Sequence, residues 1–357
     1  MYFKSWQEFK NYIDKSSIGE TEELMIFAAD QSADYVKEMM DYLNSKGIKF
    51  FGGIYPALLV GRKKESLGFL VQKLEPVYTT LVFPYLMRCK LDLETLGDAA
   101  ALVLVDGLSS KMKDLTDTVY NKLGNKVKYV GGGAGYYDLV HRPCIFNNTG
   151  LYQDALIVSI VPADMQIAVK HGWNRLAGPF YITKAEDNVL SELDSENAFE
   201  VYKHIVEEFG NVTLSILDFF SFAKEHPFGI VHQGSADIVR DPIMLNGNNE
   251  IVCVANVPLH KDVYVLKGDI DTLLEASIEV SEECAKNPFE EYIPLLFNCI
   301  SRAMFMDERF EEELTNIQFR MSHPVIGALS IGEIASLSDG QLEIHNKSTI
   351  LGALKVK

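Results

Sequence analysis

The sequence predicts an α/β protein in which repeated strand-helix-strand units form mixed, largely parallel sheets, with an antiparallel portion in the middle of the chain. Three observations predict this class: a strand-helix-strand pattern recurs, its strands are nearly continuous apolar runs, and each copy ends in glycines. A parallel link needs a crossover of a dozen or more residues, so a helix between two apolar strands favours parallel pairing with helices on the sheet faces.

The first copy of the pattern follows a short amphipathic stripe, Trp6, Phe9, Tyr12 and Ile13. That stripe predicts an N-terminal helix within residues 1–23, which either packs on its own domain or docks on a partner. The first copy itself has an apolar strand at 24–29, a helical stripe over 36–43 and a strand at 48–53 that ends in a glycine pair.

Two further copies follow the first. The second copy, about 78 residues later, has a strand at 101–105, a stripe over 112–123 and a strand at 127–133 that ends in three glycines. A third, weaker copy has a strand at 295–300, a stripe over 310–317 and a strand at 323–328. Repetition at this scale marks a supersecondary unit.

The segment between the second and third copies has a different pattern of apolar and turn residues. Short strands at 155–161, 167–169 and 180–183 are separated by turn residues, a pattern that predicts an antiparallel meander. Helical stripes follow near 198–205 and 270–278. Residues 240–249 (RDPIMLNGNN) combine Asp-Pro with Asn-Gly and indicate a loop and hairpin.

Composition excludes several classes of protein. The chain has 357 residues, 47% of them hydrophobic, which is typical of a globular protein and not of a disordered one. Its net charge of -17 repels phosphate backbones and anionic lipids, so neither nucleic acid nor a membrane is an expected partner. No apolar stretch is long enough to cross a bilayer, and the charged start predicts no signal peptide.

The cysteines predict neither a disulfide framework nor a zinc site. They are Cys89, Cys144, Cys253, Cys284 and Cys299, an odd and widely spread set without a Cys-x-x-Cys pair. We therefore expect a reduced protein in the cytoplasm.

Candidate binding residues follow the buried strands, where ligands bind in open parallel sheets. Gly131, Gly132 and Gly133 can offer backbone amides to a carboxylate, or they only let the strand turn sharply. Ser330, Gly332 and Glu333 follow the last strand, and the glutamate can accept a ligand ammonium group or cap the turn. Asp106 has the same two interpretations, and Arg302 either contacts a ligand or anchors a carbonyl or internal carboxylate.

Catalytic signatures are absent from the sequence. It contains no G-x-S-x-G elbow and no H-E-x-x-H, and its eight histidines are scattered. We predict no catalytic or metal-binding residues and no cofactor. A single histidine in an apolar pocket would nevertheless suffice to ligate haem. Cys299 beside Arg302 leaves a second alternative, an enzyme with a cysteine nucleophile.

Several motifs together resemble the FIST domain family. They are the run 102–107 (LVLVDG) with the glycines after it, Gly172-Trp173, residues 178–185 (GPFYITKA), residues 192–202 (ELDSENAFEVY), residues 297–302 (FNCISR), residues 327–333, and His345-Asn346. The resemblance runs from about residue 24 to residue 354. It implies a FIST N-terminal region at 24–218, a FIST C-terminal region at 219–357, and Trp173, His345 and Asn346 as further ligand-binding residues.

The resemblance also implies a function. Because the chain resembles FIST domains, it is expected to be a sensory module that binds a small ligand, proposed for the family to be an amino acid or related metabolite. Members of the family are often fused to histidine kinases or chemoreceptors. Some stand-alone members resemble haem-binding nitric oxide sensors that regulate a kinase. With only about 23 residues before the first repeat, we expect this chain to lack an output domain and to signal by contact with a partner such as a histidine kinase or chemoreceptor.

Overall fold

The computed structural model describes residues 1–83, 86, 97–210, 212–232, 236–286 and 289–356. The helical stripes predicted from the sequence form helices. The helices of the described ranges are α1 (Trp6–Lys15), α2 (Val36–Ser45), α3 (Met112–Leu123), α4 (Ala198–Gly210), α5 (Phe219–Ala223), α6 (Ile270–Cys284), α7 (Ile300–Met306) and α8 (Phe310–Arg320). Side-chain oxygens cap the starts of three of these helices. Ser5 accepts a bond from the amide of Glu8, Asn197 accepts bonds from the amides of Phe199 and Glu200, and Asp269 accepts bonds from the amides of Asp271 and Thr272.

The strands are short and numerous. In chain order they are β1 (Tyr2–Phe3), β2 (Glu23–Ala29), β3 (Lys49–Tyr55), β4 (Leu58–Val60), β5 (Lys63–Glu65), β6 (Phe69–Leu74), β7 (Tyr78–Leu81), β8 (Ala100–Asp106), β9 (Lys128–Ala134), β10 (Ile145–Asn147), β11 (Gly150–Tyr152), β12 (Leu156–Val161), β13 (Met165–Lys170), β14 (Asn174–Glu186), β15 (Val189–Leu193), β16 (Glu196–Asn197), β17 (Phe228–Ile230), β18 (Ile238–Leu245), β19 (Ile251–Val254), β20 (Asp262–Lys267), β21 (Tyr292–Cys299), β22 (Ile326–Ser330), β23 (Glu333–Ser336), β24 (Leu342–His345) and β25 (Thr349–Lys355).

Each predicted repeat forms the centre of its own six-stranded sheet. The parallel pairs β2–β3, β8–β9 and β21–β22 confirm the three strand-helix-strand units. The sheet orders are β1-β6-β2-β3-β10-β11, β7-β12-β8-β9-β23-β24 and β13-β25-β21-β22-β4-β5. All other strand pairs in these sheets are antiparallel. The expectation of largely parallel sheets is therefore wrong, because helical crossovers link only the central pairs.

The three sheets exchange hairpins in a cycle. The glycine-bearing strand of each repeat is followed by a hairpin that joins a different sheet. Hairpin β4–β5 pairs with β22, hairpin β10–β11 pairs with β3, and hairpin β23–β24 pairs with β9. The inner faces of all three sheets therefore close on one apolar core, which holds Phe27, Leu104 and Phe297 among others.

The glycines that end each repeat lie inside strands and not in turns, which corrects the sequence-based prediction. Gly52, Gly131 and Gly327 occupy matching positions, each directly opposite a residue of the parallel partner strand. A Cβ at these positions would lie 1.9 Å, 1.8 Å and 1.7 Å from the carbonyl oxygens of Ile26, Val103 and Leu296. Close approach of two backbones therefore requires glycine here.

The fourth sheet differs from the other three. Strands β14-β20-β17-β18-β19-β15 form an antiparallel barrel that the β14–β15 pairing closes, and β16 extends it. Helix α4 covers it with Phe199 and Tyr202. The predicted boundary at 218/219 stays a prediction about sequence regions, because the barrel takes strands from both sides of it.

Two further expectations for the middle of the chain need correction. The antiparallel barrel confirms an antiparallel portion in the middle of the chain. The predicted meander is nevertheless wrong, because β12, β13 and β14 enter three different sheets. Residues 240–249 do form a hairpin, but most of the predicted loop belongs to β18, which pairs with β19. Periodicity identified the strands and could not identify their distant partners.

The N-terminal stripe packs on its own domain. Trp6, Phe9 and Ile13 are buried, and the Phe9 ring lies 5.8 Å from the ring of Phe69 between centroids. Within the described ranges, no helix is both long and apolar enough to span a membrane. The four described cysteines are all buried, and Cys89 lies outside the described residues.

Candidate functional site

A cavity of about 580 Å³ lies between β13, β18 and the β23–β24 hairpin. Its wall includes His171, Ile238, His345 and Ser348. The volume is within the range of about 300–1,000 Å³ that small-ligand sites occupy. The cavity is therefore bordered by the barrel on one side and by the sheets of the second and third repeats on the other.

His345 is the predicted site residue that lines this cavity. It is buried at the end of β24, and among the described residues its Nε2 atom has no hydrogen-bond partner. Burial lowers the pKa of this imidazole to about 4, and the nearby Arg240 adds to the effect. His345 is thus neutral at physiological pH, and its Nε2 is a buried polar atom that the described residues leave unsatisfied.

His171 is a second neutral imidazole on the same wall. Burial lowers its pKa to about 4, followed by the charge of Arg302. Its Nδ1 accepts a 2.9 Å bond from the backbone amide of Trp173. His171 was not among the residues predicted from the sequence, although its position just before Gly172-Trp173 was a signal that could have identified it.

We expect His345 to make the protein less stable in acid. The unfolded chain protonates this histidine below about pH 6.5, whereas the folded chain does so only near pH 4. Stability from this group is complete above pH 6.5 and falls by about 3 kcal/mol as the pH drops to 4. Urea unfolding of the wild type and His345→Gln at pH 7.5, 6 and 4.5 measures it.

The quantity to compare is the difference in unfolding free energy between the wild type and His345→Gln at each pH. The wild-type value alone is not sufficient, because Glu333 changes stability with pH in the opposite direction. Burial raises the pKa of Glu333 well above its usual value, so its contribution is lost as pH rises through the window above 4.5. The unfolding free energy of the wild type minus that of His345→Gln should therefore decrease as the pH falls. A pH-independent difference would contradict it.

A buried polar cluster lies behind the cavity wall. Glu333 Oε1 accepts a 2.9 Å bond from the Ser330 hydroxyl, and its Oε2 accepts a 3.3 Å bond from the Ser348 amide. Ser348 reaches from this cluster to the cavity, and both Ser330 and Glu333 are fully buried. Two of the predicted residues therefore form a contact, in which the hydroxyl orients the carboxyl group behind the wall.

Asp241 and Lys347 form a buried ion pair that sequence analysis did not identify. Lys347 Nζ lies 3.0 Å from Asp241 Oδ1, and both side chains are almost fully buried. The predicted residue Asn346 joins β18 to this segment, since its Oδ1 accepts a 3.4 Å bond from the Asp241 amide. The available signal was the adjacent charged pair Arg240-Asp241 between apolar residues of the segment 238–245.

Trp173 and Arg302 position the site from outside the cavity. Trp173 Nε1 donates a 2.9 Å bond to the carbonyl of Lys347, and its ring lies 5.1 Å from Lys347 Nζ. Arg302 Nε lies 3.0 Å from Glu313 Oε2, and its other nitrogens donate to the carbonyls of His171 and Leu273. All three nitrogens of the guanidinium group are committed, which matches the anchoring interpretation of Arg302.

The predicted glycines are packed against protein. The Gly133 amide donates a 2.7 Å bond to the Gly332 carbonyl, and a Cβ at Gly132 would lie 2.8 Å from Ser330 Cβ. Gly332 has φ +86 and makes the turn between β22 and β23. Gly131 faces β8 closely. Ligand binding by these glycines stays a prediction to which the geometry adds no support.

Asp106 does not line the cavity. It ends β8 with its side chain buried, and its carboxylate accepts bonds from the amides of Asp154 (2.8 Å) and Leu108 (3.2 Å). His141 Nε2 lies 2.8 Å from Asp106 Oδ2. The sequence grouped Asp106 with the strand-end residues, but its neighbours come from two other loops.

Cys299 lacks the surroundings of a reactive cysteine. Burial raises its pKa, and the carboxyl group of Glu333 adds to the effect. The Arg302 guanidinium is held by Glu313. A protonated, enclosed thiol is a poor nucleophile, so the geometry gives the enzymatic alternative no support.

Haem is the group that the family resemblance implies for some members. His345 is the cavity residue that would hold the haem iron, through its neutral imidazole. The lining, however, includes Lys128, Lys170, Asp237 and Glu283. Covering the faces of a porphyrin with charged side chains is unfavourable, so the cavity fits a small polar molecule better.

Comparison with protein families gives two matches, in chain order. The FIST N domain matches residues 62–196, and the FIST C domain matches residues 198–336. Together the two matches span more than three quarters of the chain. No curated protein shows a significant match to the sequence.

Proposed function

The chain belongs to the FIST family, whose domains are sensory domains in signal transduction, and we propose that it binds a small polar ligand in the cavity beside His345 and signals through a separate protein. The observation that carries the proposal is a cavity of ligand size lined by His345, whose buried Nε2 has no hydrogen-bond partner within the described part of the chain. A buried polar atom without a partner costs free energy that a bound ligand recovers.

The charges of the wall favour a zwitterionic ligand such as an amino acid or related metabolite. Lys170 pairs with Glu283 at 3.3 Å, Lys128 with Asp164 at 2.7 Å and Asp237 with Arg175 at 2.6 Å. Charges of both signs therefore line the cavity as ion pairs, which the ammonium and carboxylate groups of a ligand can join. Groups of both signs around one cavity complement a molecule with a carboxylate and an ammonium group. His345 and Ser348 add neutral hydrogen-bonding groups at the buried end.

The position of the cavity supports transmission to a partner. Ile238 belongs to the barrel, whereas Gln166 and His345 belong to the sheets. A ligand that contacts all of these groups binds best to one arrangement of barrel and sheets, and a ligand shifts an equilibrium by its differential affinity. The proposed partner, a kinase or chemoreceptor, would read that arrangement by contact.

A thermal-shift screen with amino acids and related metabolites tests the proposal. A ligand at 100 times its dissociation constant should stabilise the folded protein by about 2.7 kcal/mol. Replacing His345 by alanine should weaken binding of the same compound at least tenfold, measured by calorimetry. His204, an exposed histidine on α4, provides the control, and His204→Ala should bind like the wild type.

Two results would overturn the amino-acid proposal. One is a complete screen in which no compound shifts the wild-type melting curve. The other is equal affinity of His345→Ala and wild type for a compound that does bind. A Soret band on haem reconstitution that His345→Ala lacks would replace the zwitterion with haem as the occupant.

A further inference from the structure

A second cluster of polar side chains lies at the carboxyl end of β8. Asp106, His141 and Asp154 each offer one ligand atom, and these atoms all lie within 4.8 Å of one another. Asp106 comes from the strand end, His141 from the loop after β9, and Asp154 from the turn between β11 and β12. Three separate segments thus converge on one point.

We propose that Asp106, His141 and Asp154 bind a divalent first-row transition metal ion. One imidazole and two carboxylates form a donor set that suits Zn²⁺, and three protein ligands leave a position for water. His141 Nε2 lies 2.8 Å from Asp106 Oδ2 and 3.7 Å from Asp154 Oδ1. Atoms about 2.1 Å from a common ion are at most about 4.2 Å apart, so both separations are compatible with shared coordination.

Charge at the cluster favours a cation in addition to the bonds that Asp106 accepts from the amides of Leu108 and Asp154. The Asp106 side chain is 1% exposed, and within the described ranges neither Asp106 nor Asp154 forms an ion pair with a lysine or arginine. His141 Nε2 can donate only one proton, which at 2.8 Å goes to Asp106 and leaves Asp154 without it. A divalent ion in the same position neutralises both carboxylates at once.

Neighbouring groups already hold the ligands in place. The Ser109 hydroxyl donates a 2.6 Å bond to Asp154 Oδ1. The Gln153 side-chain amide lies 3.2 Å from His141 Nδ1. With the amide rotated, its oxygen accepts the Nδ1 proton and leaves the Nε2 lone pair for the metal, the arrangement that orients metal-binding histidines.

Calorimetry with ZnCl₂ on the untagged, chelator-treated and dialysed full chain tests the site. We expect one equivalent to bind saturably. Two variants, His141→Ala and Asp154→Asn, should each lower the affinity at least tenfold. Asp154 has φ 52, and asparagine adopts this left-handed conformation, so Asp154→Asn stays informative if His141→Ala fails to fold.

A matched histidine-carboxylate pair provides the control. His204 Nε2 lies 3.6 Å from Glu208 Oε2 on the exposed face of α4. Replacing His204 by alanine removes a histidine beside a carboxylate without touching the cluster, and should leave zinc affinity unchanged. Mg²⁺, which binds imidazole poorly, should not compete with zinc.

Three results would overturn the proposal. They are the absence of saturable zinc binding to the wild type, unchanged affinity in both His141→Ala and Asp154→Asn, and an equal loss in His204→Ala. Cobalt substitution adds a spectroscopic readout, since visible absorption bands of bound Co²⁺ should be present in the wild type and absent from His141→Ala.

Discussion

Replacement of Gly131 or Gly327 by alanine is expected to lower the free energy of unfolding by about 3 kcal/mol or more. The added methyl carbon would lie 1.8 Å or 1.7 Å from a carbonyl oxygen of the facing parallel strand. Backbone atoms in the centre of a sheet cannot move aside as a flexible side chain can, so the central strand pair must separate. Urea unfolding followed by circular dichroism measures the loss.

Gly247 offers the matched control for these two glycines. A Cβ built at Gly247 meets no atom within 4 Å, and Gly247→Ala should change stability by less than about 0.5 kcal/mol. Near-wild-type stability of Gly131→Ala and Gly327→Ala would contradict the close approach of the paired strands. If neither variant accumulates as folded protein while Gly247→Ala does, the prediction is met in its strongest form.

Replacement of Arg302 by methionine is expected to destabilise the protein by about 3–5 kcal/mol. The change preserves most of the side-chain volume but leaves the Glu313 carboxylate buried without its cation, and both side chains are 0% exposed. It also removes the donors to the carbonyls of His171 and Leu273. Thermal and urea unfolding of the variant measure the loss.

A double variant separates the cost of leaving the Glu313 carboxylate without its cation from the cost of lost packing. Arg302→Met with Glu313→Gln should be more stable than Arg302→Met alone, because no uncompensated carboxylate remains. Arg309, an exposed arginine paired with Glu312 and Asp271, is the control, and Arg309→Met should leave stability little changed. Equal losses of stability in Arg302→Met and Arg309→Met would show that the buried ion pair stabilises the fold no more than an exposed one.

The repeats illustrate how far the sequence determines the fold. The apolar runs at 24–29, 101–105 and 295–300 became β2, β8 and β21, each paired in parallel with the strand after its helix. Those pairings are local in sequence, so hydrophobic periodicity and a crossover helix suffice to predict them. The cyclic exchange of hairpins depends on contacts between residues far apart in the chain, for which periodicity carries no information.

Prediction of the site was partial for the same reason. His345, Ser330 and Glu333 were identified from their position near strand ends and from motifs, and they lie at or behind the cavity wall. His171 and Asp241 were missed because their importance arises from burial beside segments remote in sequence. The predicted glycines of β9 pack against neighbouring protein atoms inside a sheet, and ligand binding by them stays a prediction.

By itself, the sequence determined the three strand-helix-strand units, the amphipathic helices, the hairpin near residue 245 and the family to which the chain belongs. These properties follow from side-chain periodicity and short motifs, which act over a few residues. The tertiary structure alone decided that the sheets are mainly antiparallel, that the middle of the chain closes into a barrel, and that His345 faces a cavity beside it. Each of these depends on which distant strand edges satisfy one another's backbone hydrogen bonds, a choice made only when the whole chain is packed.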